Sequence, residues 1–324
     1  MDRVAAIVGP TASGKSSVAL EVAAAVGGEI LSCDSVQIYR GLDIGSGKLL
    51  PGQRCSRDKT PIVHHLLDTA DPGCPYTAYD YQTDCRRLIG EISARGRLPI
   101  LCGGTGLYYQ AALDEYRFIE QDPDRLREIR AGLRDRLERD GADMLYRELT
   151  ERAPQVAKTV HPHNVRRLLR AWERLLLEPG PDADMDAVRL PARYDVRAFG
   201  LTMDRAVLYR RIEERVDAML GAGLIGETRF LREQGIERNN PKLLQTLGYR
   251  HMLGYLDGEC SLAEATERMK RDTRRYAKKQ LTWFARDSRI VWLDTGTPEG
   301  ETRAVREIVT ELLSRGDRET EGSG

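Results

Sequence analysis

The chain has 324 residues, with 50 Lys and Arg against 50 Asp and Glu, so its formal net charge at neutral pH is zero. This balance excludes a general attraction to nucleic acid or to a membrane surface, although local clusters of charge can still exist. The length predicts one large domain or two modest ones with a sizeable core. The six cysteines include no Cys-x-x-Cys pair, which disfavours a zinc site or a disulfide framework and favours a reducing cytosol.

We expect a cytoplasmic protein that does not enter a membrane. No apolar run is long enough to span a bilayer. The chain begins directly with an apolar strand pattern, which leaves no room for a signal peptide.

A glycine-rich turn lies between the first predicted strand, residues 4–8, and the first predicted helix, residues 16–26. Residues 9–16 read G-x-x-x-x-G-K-S, the pattern of a phosphate-binding loop. The glycines allow a tight turn whose N–H groups, with the helix N-terminus, can cradle an anion. Lys15 adds a positive charge, and the Ser16 hydroxyl can hold Mg²⁺. The alternative is a chance turn before a helix, and the motif alone leaves open whether phosphate is transferred, hydrolysed or released.

The first third of the chain alternates strands and helices. Residues 29–33, 64–67 and 98–102 predict further strands, and residues 79–95 predict a helix. This spacing favours a parallel sheet with right-handed crossovers, so the predicted fold class is α/β, a P-loop NTPase-like parallel sheet. Residues 41–59, rich in Gly, Ser, Lys and Arg, predict an exposed loop.

A charged helical region with almost no strand signal begins at about Asp122 and is broken at Gly141, Pro154 and Pro162. Residues 164–177 predict an amphipathic helix. Its apolar side comprises Leu168, Leu169, Trp172, Leu175 and Leu176, and its basic side comprises Arg166, Arg167, Arg170 and Arg174.

The α/β pattern resumes after a predicted linker at residues 178–191. Residues 194–201 predict a strand, and residues 208–220 and 262–284 predict helices. The predicted organisation is a core in two parts, 1–117 and 193–315, a helical insertion, 118–192, and a disordered polar tail, 316–324.

Asp34 follows the second predicted strand. The carboxyl ends of parallel strands face the ligand crevice, where a carboxylate can take a proton from a nucleophile. Asp is also a common turn or helix-cap residue, and position alone does not decide between the two roles.

The strand at residues 98–102 ends in Gly103, Gly104 and Thr105, without the acid that a classical NTPase uses to hold Mg²⁺ and water. This absence weakens an ATPase interpretation. The two glycines permit close approach of a ligand and Thr105 offers a hydroxyl, although a plain turn is the simpler explanation.

Two basic clusters stand out on this neutral chain. Residues 266–289 carry nine Lys or Arg against three Asp or Glu, with Arg271, Arg274 and Lys278 in one helical stripe. Such a run is usually a solvated face. Together with the basic side of helix 164–177, it predicts a local footprint for a polyanion such as RNA. The His pairs at 64–65 and 161–163 lack acids or cysteines at ligand spacing, which favours structural roles.

These motifs in their order resemble the tRNA dimethylallyltransferase family, also called tRNA isopentenyltransferases. The resemblance covers residues 4–295. The sequence departs from the family pattern at Val63 and at residues 113–116. It also lacks the zinc-finger tail of eukaryotic members, so it resembles the bacterial members of the family. The matching segments are GPTASGKS at 9–16, DSVQIYRGLDIGSGK at 34–48, HHLLD at 64–68, GGTGLYY at 103–109, HPHNVRRLLRAWE at 161–173, DRAVLYRRIEERVDAMLGAGLIGE at 204–227, LGYR at 247–250 and TRRYAKKQLTWFAR at 273–286.

The resemblance implies transfer of the dimethylallyl group of dimethylallyl diphosphate to N6 of the adenosine just 3′ of the anticodon. It implies that Asp34, Lys15 and Thr105 act in catalysis, that Mg²⁺ is the cofactor with Ser16 as ligand, and that the tRNA anticodon stem-loop is the partner of a monomer. The implied diphosphate-binding residues are Gly9, Pro10, Thr11, Ala12, Ser13, Gly14, Lys15, Ser16, Arg211, Arg215 and Lys278. The implied tRNA-binding residues are Asp34, Ser35, Val36, Gln37, Thr105, Arg127, Asn164, Val165, Arg166, Arg167 and Leu168.

Three rival functions share parts of this pattern. A small-molecule kinase has the phosphate-binding loop but no use for a basic helical insertion. A non-catalytic RNA-binding protein has no need of both Lys15 and Asp34. An adenylate isopentenyltransferase prenylates free nucleotides, whereas the insertion favours tRNA.

Overall fold

A computed structural model describes residues 2–116, 118, 123–177 and 191–314. The chain forms two compact units: the core unit, Met1–Asp114 with Ala192–Gly324, and the insertion unit, Glu115–Pro191. The predicted tail, 316–324, and nearly all of the predicted linker lie outside the described residues. The insertion predicted at 118–192 overlaps the insertion unit, and its role in tRNA binding stays a prediction.

Six strands of the described core unit form one parallel sheet in the order β3–β2–β4–β1–β5–β6. This arrangement confirms the predicted fold class. The strands are β1 Arg3–Val8, β2 Gly28–Cys33, β3 His64–His65, β4 Leu98–Gly103, β5 Asp195–Thr202 and β6 Ile290–Asp294.

The helices follow in chain order, with α4 to α6 in the insertion unit. They are α1 Lys15–Val26, α2 Ala78–Ala94, α3 Gly106–Leu113, α4 Pro123–Arg152, α5 Pro154–Thr159, α6 Val165–Leu177, α7 Arg205–Gly221, α8 Leu224–Glu233, α9 Ile236–Asn239, α10 Pro241–Leu244, α11 Tyr249–Leu256, α12 Leu262–Phe284 and α13 Pro298–Leu313.

The sheet is buried on both faces because successive side chains of each strand point in opposite directions. In β1, Ala5 and Ile7 join an apolar cluster with α1 and α13, whereas Val4, Ala6 and Val8 join the larger cluster on the other face. This two-sided burial explains why the strands read as continuous apolar runs in the sequence.

The register brings three strand ends level at one edge of the sheet. Gly103 at the end of β4 lies opposite Val8 of β1 on one side and Cys33 of β2 on the other. The segments that follow, beginning at Gly9, Gly104 and Asp34, therefore start side by side, as the carboxyl ends of parallel strands do.

Two local predictions were only partly right. The segment at residues 41–59 is not simply an exposed loop, because Leu42, Lys48 and Ser56 are buried. The Lys48 ammonium lies 2.9 Å from the Asp43 carboxylate and 2.5 Å from that of Asp68, so these ion pairs fold the segment onto the core. The strand predicted at 64–67 covers only His64–His65, since Leu66 adopts a left-handed φ of 60° that breaks the strand.

The insertion unit has its own apolar core around Trp172, which is fully buried. Its indole Nε1 donates to the carbonyl of Leu145 at 3.0 Å, which ties α6 to α4. The amphipathic pattern of α6 holds for Leu168 but not for Leu176, which is exposed. Gly141, with a φ of 78°, kinks α4 at the predicted break.

None of the helices within the described residues is both long enough and apolar enough to cross a membrane.

Candidate active site

A cavity of about 460 Å³ lies in the core unit where β1, β2 and β4 end. Its walls combine the phosphate-binding loop with segments that follow the other strand ends and with α7 and α12. The lining comprises residues 11–17, 34–37, 45–47, 102–104 and 245–247, with Ile212, Arg215, Val216, Met219, Arg250, Met269, Thr273, Tyr276 and Gln280.

The phosphate-binding loop has the backbone shape that its glycines predict. Gly9 has a φ of 142°, and a Cβ there would lie 2.6 Å from the Leu201 carbonyl oxygen, so no other residue fits. Gly14 begins α1 with a φ of 86°. The N-terminus of α1 therefore lies at the cavity wall, with its free N–H groups and the positive end of the helix dipole available to an anion.

Two half-buried cations face the same cavity. Burial lowers the pKa of Lys15 to about 8, and its Nζ donates to the Pro10 carbonyl at 2.6 Å. Burial also lowers the pKa of Arg215, which donates to the Gly47 carbonyl at 3.4 Å. Among the described residues neither cation makes an ion pair. The negative charge of Asp34 offsets only part of the desolvation that lowers both pKa values, so the pair of cations indicates a site for an anion.

Asp34 closes a turn and faces the cavity at the same time. Its Oδ1 accepts hydrogen bonds from the N–H of Val36 at 2.9 Å and of Gln37 at 3.2 Å. These bonds engage one of the two carboxylate oxygens, while the residue also lines the cavity. The two roles that the sequence left open for Asp34 are therefore compatible with each other.

The end of β4 supports the Asp34 turn. A Cβ at Gly103 would lie 2.1 Å from the Cys33 carbonyl oxygen, so β2 and β4 approach closely only because residue 103 is glycine. Thr105 then accepts a hydrogen bond from the Ser35 N–H at 3.1 Å through its Oγ1. Thr105 does not itself line the cavity, and its visible role is to hold Ser35.

Gln280 was missed by the sequence analysis. Its buried side chain accepts from the Thr11 N–H at 2.9 Å and donates to the Gly104 carbonyl at 2.9 Å. One amide from α12 thus holds the phosphate-binding loop and the end of β4 together. Gln280 lies inside the segment at 273–286 that matches the family, but its spacing from the other residues of that segment does not indicate this role.

Glu227 was also missed. Its carboxylate accepts three consecutive backbone N–H groups, those of Asp43 and Ile44 at 3.0 and 2.8 Å and that of Gly45 at 2.9 Å. The hydroxyl of Tyr249 donates to it at 2.8 Å. Glu227 therefore fixes the segment whose residues 45–47 form one wall of the cavity.

Other predicted site residues lie away from this cavity. Arg211 donates to the Gly296 carbonyl at 3.4 Å, and Lys278 is exposed on α12; neither lines the cavity. Arg127 and residues 164–168 belong to the insertion unit. There the Asn164 side chain accepts from the Arg167 N–H at 3.1 Å at the start of α6.

The wall beyond Arg215 is apolar. Ile212, Val216 and Met269 are buried and line the cavity together with Met219. Within the described residues no group of three or more His, Cys, Asp or Glu is placed to hold a metal ion. His64 and His65 instead hydrogen-bond to the Ile62 carbonyl and the Glu29 carboxylate, at 2.9 and 2.7 Å.

The fold and the loop define a P-loop α/β protein whose cavity combines cationic side chains with an apolar wall. The chain belongs to the IPP transferase family, whose sequence pattern matches residues 37–287, and the isopentenyl transferase pattern matches residues 2–57.

Relatives and solved structures agree with this family. The chain is 45% identical to a tRNA dimethylallyltransferase of Moorella thermoacetica over 96% of this chain and 95% of that protein. It is 37% identical to that of Bacillus subtilis over 96% and 97%. A tRNA isopentenylpyrophosphate transferase from Staphylococcus epidermidis matches with a TM-score of 0.70 at 35% identity, over 97% of this chain and 100% of that one. A eukaryotic dimethylallyltransferase acting on tRNA matches with a TM-score of 0.75 at 27% identity, over 92% and 75%.

The lowered pKa of Lys15 predicts how anion affinity depends on pH. Below about pH 8 the ammonium is charged and attracts diphosphate, and above that pH the charge is lost from the free protein. Affinity for inorganic diphosphate should therefore fall more steeply above pH 8 for the parent than for Lys15→Arg, whose charge persists. Calorimetry from pH 6.5 to 9.5 measures both, and the ionisation of diphosphate is common to them. Parallel profiles would contradict the assignment.

The two hydrogen bonds by which Gln280 joins the phosphate-binding loop to the end of β4 form a clamp. Loss of this clamp should weaken diphosphate binding in addition to lowering stability. Gln280→Leu leaves the Thr11 N–H and the Gly104 carbonyl unpaired, which should lower the free energy of unfolding by about 1–3 kcal/mol and weaken diphosphate binding. The matched control is Gln82→Leu, which removes a buried hydrogen bond to the Ala111 carbonyl away from the cavity. That variant should lose stability but keep its affinity. Equal diphosphate affinities for both variants would refute the clamp.

Proposed function

We propose that this protein transfers the dimethylallyl group of dimethylallyl diphosphate to N6 of the adenosine immediately 3′ of the anticodon, in tRNAs that read codons beginning with U. The products are N6-isopentenyladenosine and diphosphate. The observation that carries the proposal is one cavity that combines two half-buried cations that make no ion pair within the described residues, an apolar wall and the Asp34 carboxylate. The activities for which the relatives are named support the same reaction.

The two cations and the loop stabilise the leaving group. As the allylic C–O bond stretches, positive charge grows on carbon and negative charge on diphosphate. The α1 N-terminus, Lys15 and Arg215 are fixed before the reaction, so they meet that charge without reorganisation. Ser16 lines the cavity next to Lys15, and its hydroxyl is an oxygen donor of the kind that Mg²⁺ accepts. When bound there, Mg²⁺ supplies Lewis-acid stabilisation of the diphosphate oxygens.

Asp34 acts as the general base. The exocyclic amine of adenine is a poor nucleophile because its lone pair is delocalised into the ring, and it must lose a proton as the new C–N bond forms. The Oδ1 bonds to Val36 and Gln37 hold the carboxylate in place while its second oxygen can receive that proton. The adenine reaches the cavity after leaving its stack in the anticodon loop.

The apolar wall separates this reaction from that of a kinase. A kinase places a second polar substrate beside the terminal phosphate, whereas Ile212, Val216 and Met269 offer a dry surface to a hydrocarbon group. Exclusion of water there also protects the allylic cation from hydrolysis. The missing acid after β4 agrees with this reading, because no attacking water has to be positioned.

The insertion unit supplies phosphate contacts to tRNA. Arg166 and Arg167 are exposed on the first turn of α6 and make no ion pair within the described part of the chain, whereas Arg170 pairs with Glu173 at 2.8 Å. Cations free of carboxylates can neutralise phosphates at the lowest cost. We place the reaction in the cytoplasm, where tRNA is the substrate, and infer that the monomer holds the complete cavity.

The direct test is mass spectrometry of tRNA nucleosides after incubation with dimethylallyl diphosphate and Mg²⁺. The parent should produce N6-isopentenyladenosine. Asp34→Asn keeps the Oδ1 acceptor but not the proton acceptor, so turnover at saturating tRNA should fall by about 10²–10⁴-fold with little change in affinity or melting temperature.

The matched control is Asp204→Asn. Asp204 also accepts two backbone N–H bonds through Oδ1, at the start of α7 and outside the cavity. This variant should keep its turnover. Near-normal turnover of a normally folded Asp34→Asn protein would exclude Asp34 as the base.

A salt titration tests the role of the insertion. Replacing Arg166, Arg167 and Arg170 with Ala should weaken tRNA binding and reduce the slope of log affinity against log salt by about one for each lost phosphate contact. The control Arg303→Ala with Arg306→Ala removes exposed charge from α13 of the core unit and should leave the slope unchanged. If the insertion variant keeps the parental slope, α6 does not meet RNA phosphates.

A further inference from the structure

An exposed stripe of Tyr276, Lys279 and Trp283 runs along α12. These residues are spaced i, i+3 and i+7, so they lie on one side of the helix. Tyr276 is 37% exposed and Trp283 41% exposed, whereas the next residue, Phe284, is buried. The pattern therefore places two rings and an ammonium group toward solvent, beside a helix face that packs on the core.

The Trp283 ring has a fixed seat. A Cβ at Gly106 would lie 2.2 Å from Cδ1 of the indole, so the ring edge rests directly on the backbone at the start of α3. The preceding residue, Thr105, holds the Ser35 N–H beside Asp34. The Trp283 ring therefore lies against the segment that follows β4, and this segment also supports the Asp34 turn.

The stripe is continuous with the cavity. Tyr276 lines the cavity, and Gln280, one turn before Trp283 at its edge, holds the phosphate-binding loop. A ligand that entered the cavity and extended outward along α12 would pass Tyr276 and then Trp283.

Charge along α12 is divided into two parts. Over residues 270–275 each cation has a carboxylate partner: Lys270 pairs with Asp217, Arg274 with Glu213, and both Arg271 and Arg275 with Asp272. Near Trp283 the three cations Lys278, Lys279 and Arg286 are exposed and make no ion pair within the described residues. The surface around the stripe is therefore positive and complements a polyanion.

The geometry points to this stripe as a stacking platform for an unpaired RNA base next to the reacting adenosine, with Lys279 contacting the adjoining phosphate. When an adenosine leaves its stack, its neighbours in the loop lose a partner, and an aromatic face can replace it. Aromatic rings interleaved with basic residues are the usual means by which proteins hold single-stranded nucleic acid. The inference rests on the proposed function and assigns a second contact region to the same substrate.

Binding of an anticodon stem-loop RNA tests the platform. Trp283→Leu keeps an apolar side chain but removes the ring, so Kd for the RNA should rise about 10- to 100-fold while affinity for inorganic diphosphate stays at the parental value. Trp283→Phe restores a ring and should recover most of the affinity. The control Phe230→Leu alters an exposed aromatic of α8 and should leave Kd unchanged.

RNA with an abasic nucleotide separates stacking from simple surface loss. If the base beside the target adenosine stacks on Trp283, an abasic substitution at that neighbour should weaken binding to the parent but not further weaken binding to Trp283→Leu. Abasic positions are tested one at a time on both sides of the adenosine. Independent, additive losses at both positions would overturn the inference, as would parental Kd values for Trp283→Leu. Loss of diphosphate affinity in Trp283→Leu would instead reveal a structural role and also overturn it.

Failure of the broader proposal gives a different result. A parent protein that forms no isopentenyladenosine contradicts the proposed function itself. A parent that prenylates tRNA, together with a Trp283→Leu variant that binds and prenylates it equally well, contradicts only the platform. If the stripe instead binds a protein partner, RNA affinity will not depend on Trp283.

Discussion

The close contact between β2 and β4 at Gly103 is the constraint on which the candidate site depends. Because a Cβ at residue 103 would overlap the Cys33 carbonyl, only glycine lets these strand ends stand level with the end of β1. That level edge places Asp34 and the phosphate-binding loop on one cavity although β4 separates their strands. A wider strand spacing would move Asp34, the proposed base, away from the proposed diphosphate site, and misplacement by even about 1 Å is costly in catalysis.

Much of the fold could be predicted because its signals are local. The apolar runs of β1, β2 and β4 and the loop pattern at residues 9–16 depend on neighbours in sequence, and the structure places these strands within a residue of the prediction. Loop 41–59 was mispredicted because its polar composition hides its anchors. Lys48 is buried, and its ammonium pairs with the carboxylate of Asp68, twenty residues away in the chain. The backbone of residues 43–45 is held by hydrogen bonds to Glu227, which is far more distant in the chain. The amino-acid composition of a segment indicates whether it prefers solvent, but it does not identify the distant residue that pairs with a buried charge.

The candidate site shows the same division. Lys15 and Asp34 follow strand ends in recognisable motifs, so their presence at the cavity could be expected. Gln280 and Arg215 come from helices whose faces are set by tertiary packing, and no short pattern distinguishes them from Arg211 or Lys278, which do not line the cavity. Arg211 and Arg215 are four residues apart on α7, so a shift of one helical turn separates a residue that lines the cavity from one that does not.

The electrostatics of the cavity explain why such helical groups matter. Lys15 and Arg215 repel each other, and each is partly desolvated, so the ligand-free protein carries an electrostatic cost that an anion can relieve. Gln280 and Glu227 prevent the walls from collapsing to relieve that cost internally, because they hold the loop and residues 43–45 through backbone N–H groups. Binding free energy is then available for charge separation between carbon and diphosphate instead of for rearranging the protein. In the proposed reaction, the Gln280 carboxamide and the Glu227 carboxylate thus act without touching the reacting atoms, through the rigidity of the surfaces that do.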